Sequence, residues 1–138
     1  QLAPTAKNLQ PQKIYVLKSA EAIKKINEVT SRAYQAPLVF VACYDKDIAW
    51  TNPLDNNASS GEMDVTIVGT HMMLEAAEQG LGSCWIKWFN PQEVVDAFGI
   101  PDNEHPAFLL DVGYPIDGAA PTKMHYEKKD IKDFVKEL

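Results

Sequence analysis

The chain has 138 residues, 46% apolar, 23% charged and 9% aromatic, values ordinary for one globular domain able to bury a core, so a single domain is expected over residues 1–138. Nineteen acidic against thirteen basic side chains leave a net charge of −6, which opposes a nucleic-acid partner, because phosphates demand a basic face. Cys43 and Cys84 lie far apart in apolar runs without disulfide or zinc spacing, and no apolar run approaches the roughly 18 residues of a spanning helix, so a cytoplasmic protein with no membrane partner is expected.

In chain order, Ile14-Tyr15-Val16-Leu17 is a β-rich run, and Ser19 offers an N-cap to a helix with Ile23, Ile26, Val29 and Ala33 along one stripe. Pro37 to Tyr44 is short and continuously apolar, the pattern of a strand buried on both faces. From Asp45 to Gly61 the composition turns to Asp, Asn, Ser, Pro and Gly around Trp50, which predicts a long polar loop. Asp64 is placed to cap a long helix carrying Val65, Val68, Met72, Met73 and Ala76, ended by Gly80 and Gly82.

Ser83-Cys84-Trp85-Ile86 predicts a strand. Asn90-Pro91-Gln92-Glu93 combines an N-cap, a proline at the first helical position and a glutamate at the third, and that helix stops at Gly99. Ala107 to Tyr114 supplies another buried strand, followed by a Pro/Gly-rich stretch and an amphipathic segment from His125 to Leu138. Strands and helices alternate, so the class is α+β of a three-layer α/β type, with a central mixed sheet flanked by helices.

Ala3-Pro4-Thr5-Ala6-Lys7-Asn8-Leu9-Gln10-Pro11 is a polar loop between prolines just before a strand, where side chains such as Thr, Asn and Gln can meet the mixed donors and acceptors of a heterocycle. His71, His105 and His125 are too scattered for a metal motif and read as structural. No GxSxG or GxxxxGK[ST] motif occurs, which weighs against the common hydrolases and nucleotidases.

The loop resembles the flavin-contacting segment of the nitroreductase family, with Gln12 where that family usually has Trp. The resemblance continues in the family's order through Gly61-Glu62-Met63-Asp64, Thr70 to Leu74, Gly80 to Ile86, Asn90-Pro91, Gly99-Ile100-Pro101, Gly113-Tyr114-Pro115 and Lys128-Lys129. It implies a nitroreductase-like fold and an FMN-dependent oxidoreductase. NAD(P)H would deliver hydride in a first half-reaction, and a nitroaromatic, quinone or similar flat acceptor would take it in a second.

By the same resemblance, Pro4, Thr5, Asn8 and Gln10 form the flavin loop. Trp85, Ile86, Lys87 and Trp88 run along the ring and present a backbone amide to the flavin nitrogen. Lys128 and Lys129 grip the phosphate. No catalytic side chain is required, because the cofactor carries the chemistry. Many members carry glycine where Trp88 stands, so this chain departs from the pattern at its acceptor cleft.

The family's site is built by a homodimer. The chain opens without Met, directly on the flavin loop, and the family's N-terminal helix with its Arg-Ser-x-Arg-like segment is expected to precede it. The alternative of a different class is a non-catalytic flavin-binding protein of the same fold.

Overall fold

The computed structural model describes residues 2–138. Its main sheet has four strands in the order β1 (Gln12–Leu17), β2 (Leu38–Asp45), β6 (Glu104–Gly113), β5 (Gly82–Ile86). Each neighbouring pair is antiparallel, so the parallel component of the expected mixed sheet is not among these strands. The physical reason lies in the connections. Each helix returns the chain to the sheet beside a strand of opposite direction, and alternation of elements alone does not determine direction. The α+β three-layer class itself stands.

The apolar runs divide by the two-residue period of a strand. On β2, Val39, Val41 and Cys43 turn to one face, where they join Ile26 of α1 (Ala20–Val29), Val94 of α3 (Pro91–Phe98) and Ile86, Ile100 and Leu109 in one core cluster. On the other face Ala42, Phe108, Leu110 and Val112 meet Val65 and Ala76 of α2 (Gly61–Glu78). Side chains such as Ile26, Val41 and Leu109 are wholly buried, each worth about 1.5–3 kcal/mol against exposure.

Two helix starts follow the residues expected of them. Ser19 Oγ accepts from Ala22 N at 3.1 Å, Asn90 Oδ1 accepts from Gln92 N at 2.9 Å, and Gly99 closes α3 in the left-handed region at φ 64. Three segments differ from expectation. Residues 45–61 are not loop throughout, because Thr51–Asn52 (β3) pairs with Ala58–Ser59 (β4) across a turn whose Asn56 and Asn57 take left-handed φ. Asp64 is not the cap of α2, which starts at Gly61 after Ser60. The tail makes only a four-residue helix, α4 (Lys123–Tyr126), and a 3-10 turn at Ile131–Asp133 in place of an amphipathic helix. Among the described residues no helix is long and apolar enough to cross a membrane.

Candidate functional site

The loop before β1 is held in an uncommon backbone. Lys7, Asn8 and Gln10 have φ of 50, 55 and 52, a region that costs a residue with a Cβ of order 1 kcal/mol or more. Asn tolerates it through its short polar side chain, while Lys and Gln occupy it only if their surroundings compel them. Part of the compulsion is local. Thr5 Oγ1 accepts from Gln10 N at 3.0 Å, and Gln10 Nε2 donates to the Asn8 carbonyl at 3.3 Å. The rest comes from α2, where the buried Asp64 carboxylate accepts from Ala6 N at 2.9 Å and from Ser60 Oγ at 2.7 Å. Lys7 adds a contact to the 45–61 segment, with Nζ 5.8 Å from the Trp50 ring centroid. Pro4, Asn8 and Gln10 are left exposed and Thr5 half-buried.

Asp64 is the residue that sequence reasoning misassigned. The signal was present in part: a carboxylate four positions after a serine, at the start of an apolar helix. Nothing in the spacing says that a loop 58 residues earlier supplies the second donor. Asp64→Ala would leave Ala6 N and Ser60 Oγ without their acceptor and release the strained loop. The expected loss is about 2–3 kcal/mol of unfolding free energy with faster amide exchange at residues 6–10. Denaturant unfolding and hydrogen exchange measure it, and an unchanged exchange rate at Ala6 would remove Asp64 from this role.

The same first turn of α2 holds the end of β5. Lys87 Nζ donates to Glu62 Oε1 at 2.6 Å and to the Ala107 carbonyl at 2.7 Å. The Lys87 ammonium lowers the Glu62 pKa, with burial opposing. Both side chains remain more than half exposed, so the pair fixes position and contributes little to stability. Behind it, His105 tilts against Tyr44 with ring centroids 5.4 Å apart, and its pKa is lowered first by burial and then by Lys87.

Trp88 is 74% exposed, and its backbone is pinned by the buried Thr30, whose hydroxyl donates to the Trp88 carbonyl at 2.6 Å. The Arg32 guanidinium lies 6.0 Å from the Trp88 ring centroid. Thr30, Lys87, Trp88, Asn90 and Glu93 border an open cavity of about 480 Å³. Thr30 and Arg32 lay outside the sequence-based set, because their relation to Trp88 is purely tertiary.

The structure therefore gathers part of the expected set around one helix terminus. The loop carrying Thr5, Asn8 and Gln10 and the strand end carrying Lys87 are both tied to the first turn of α2. Trp85 is half-buried and stacks on Phe108 with centroids 3.5 Å apart, while Ile86 lies in the core and leaves only its backbone to a ligand. Lys128 and Lys129 are not brought to the loop within this chain. Residues 115–138 are exposed throughout, and the hydrogen bonds of that stretch connect its own residues.

The Nitroreductase family profile matches residues 30–114. A protein of Archaeoglobus fulgidus whose name carries the words NADH dehydrogenase/NAD(P)H nitroreductase is 29% identical over 136 residues, covering 94% of this chain and 73% of that protein. The crystal structure of a nitroreductase family protein from Clostridium difficile superposes with a TM-score of 0.89 at 36% identity, covering 98% of this chain and 78% of that one. A nitroreductase of Exiguobacterium sibiricum solved in complex with FMN has the same fold, with a TM-score of 0.80 at 19% identity over 99% of this chain and 81% of that one.

Proposed function

The chain belongs to the nitroreductase family and is an oxidoreductase, and from that premise we propose that it binds FMN and passes hydride from NAD(P)H to a flat acceptor such as a quinone or nitroaromatic. The observation that carries this reading is the loop of residues 4–10, which keeps three non-glycine residues in left-handed backbone through a buried carboxylate. Such strain persists where a site requires one fixed arrangement of donors and acceptors. The donor set suits a flavin: short polar side chains from the loop, and an indole beside a cleft wide enough for a second planar molecule.

FMN, when bound, supplies the hydride chemistry. The chain's own part is to bind and orient. Pro4, Thr5, Asn8 and Gln10 would meet the cofactor from the loop, with Thr5 bracing that loop, and the backbone of Lys87 and Trp88 would meet it from the end of β5, held by Glu62 and Thr30 respectively. Lys128 and Lys129 provide charge for the phosphate. Because their arm is exposed along its length, we assign that contact to a second copy, as part of a homodimer that shares the site. The exposed Ile131, Phe134 and Val135 supply the apolar surface for such docking.

The test begins with colour. Purified protein should carry a flavin absorption band, acid precipitation should release all of it to the supernatant, and quinone should sustain NAD(P)H oxidation. Colourless protein that takes up no added FMN would sink the proposal, and bound flavin without turnover would leave only the non-catalytic alternative. Trp88→Gly removes the indole while retaining the backbone. Reoxidation by bulky quinones should then rise several-fold relative to small ones. Equal change for both sizes would make Trp88 a packing residue.

A further inference from the structure

Beside the middle of β5 lies a carboxylate with no use in the reading above. Asp111 of β6 is 4% exposed, and neither of its oxygens has a hydrogen-bond partner. A buried carboxylate without donors is costly, because the interior replaces none of the water it gives up. The other buried acidic residues, Asp45 and Asp64, both have donors: Asp45 accepts from Asp47 N and Asn103 Nδ2, and Asp64 accepts as described above. Asp111 is thus set apart by its environment and not by burial alone.

Asp111 borders a cavity of about 280 Å³, whose other walls include Tyr34, Ala36, Cys84, Tyr114 and Pro115. Cys84 stands directly opposite Asp111 in the strand register. Tyr34 is 59% and Tyr114 85% exposed, so two aromatic rings stand at the mouth of an otherwise apolar pocket with an acid at its floor. Tyr34 and the following Gln35 also hold left-handed φ of 47 and 59, an uncommon backbone conformation beside this cavity.

We propose that this cavity binds a small organic cation, a primary ammonium or guanidinium, paired with the Asp111 carboxylate and flanked by the Tyr34 and Tyr114 rings. Aromatic faces attract cations that carry little tightly held water, and a single carboxylate completes the pairing. A metal ion is a poorer match. Calcium or magnesium needs several oxygen ligands where this pocket has one carboxylate, and zinc needs at least three protein ligands from His, Cys or carboxylate where this pocket offers Asp111 and Cys84. The Asp111 oxygens are covered in this state, so an entering ligand must part the side chains over them.

The proton is the competitor. Burial lifts the Asp111 pKa from 3.8 to about 7, and the titratable groups facing it are the Cys84 thiol and the Tyr34 and Tyr114 phenols, with no lysine or arginine in the cavity wall. Cation binding therefore tightens as pH rises from 6 to 8.

The experiment is a titration of the full chain with n-butylguanidinium and, separately, n-butylammonium, followed by amide NMR at pH 6 and pH 8, with neutral n-butylurea as control. Saturable shifts are expected at residues 34–36, 82–84 and 111–114 for the cations alone, with affinity higher at pH 8. Asp111→Asn, which keeps the side-chain shape, should weaken binding at least tenfold, and Tyr34→Ala should weaken it less. The proposal is overturned if the cations fail to saturate, if n-butylurea binds equally, or if Asp111→Asn binds the cations as the parent does. Each of these readouts is independent of flavin content.

Discussion

At pH 8 the Asp111→Asn variant should be more stable to unfolding than the parent by about 2–4 kcal/mol, and at pH 4 the two should be nearly equal. The sign follows from where the proton sits. Burial raises the carboxyl from 3.8 to about 7 in the folded chain, so between those values the folded state holds a proton that the unfolded state has released. Stability attributable to this group therefore falls as pH rises from about 4 to about 7 and is level above that. Three pKa units correspond to about 4 kcal/mol, and the asparagine amide, which inherits the same lack of partners, offsets part of the gain. Urea unfolding of both proteins across this range isolates the effect. A difference that does not grow with pH would show that Asp111 finds a partner in solution.

Gly69→Ala should destabilise the fold by about 2–3 kcal/mol, although helix propensity alone favours the alanine by about 1 kcal/mol. Gly69 lies mid-way along α2, where a Cβ would stand 2.3 Å from Phe108 Cζ and 2.6 Å from Trp85 Cζ3. Those rings are stacked with centroids 3.5 Å apart and form part of the α2 face of the core, so neither can yield without disturbing the other. The neighbouring exposed Thr70→Ala serves as control and should change stability by less than about 0.5 kcal/mol. Gly69→Ala melting at or above the parent temperature would mean that the helix shifts freely over the sheet.

These two residues mark the boundary of what was legible in the sequence. The apolar runs at Pro37 to Tyr44 and Ala107 to Tyr114 declared buried strands, and Ser19, Asn90 and Gly99 declared helix ends, because those signals are local. The loop of residues 4–10 was found through resemblance, and its strain is only partly local: beside the bonds of Thr5 and Gln10 within the loop, the Asp64 carboxylate holds it from 58 residues away. Asp64 was misread because its partners lie partly 58 residues away. Asp111 gives no local signal, because its isolation follows from strand pairing that sets it between Cys84 and Val39. Strand direction was misjudged for the same reason, since pairing is chosen by the assembled sheet.

The first turn of α2 carries Glu62 and Asp64 two residues apart, one gripping the end of β5 and the other the loop before β1. Both sides of the proposed cleft are thus fastened to one rigid rod, and the rod is seated on the sheet by Val65 and Ala76 along its length. Such an arrangement acts as a common anchor: the loop before β1 and the end of β5 take their positions from the same helical turn, so a change at that turn is felt by both at once.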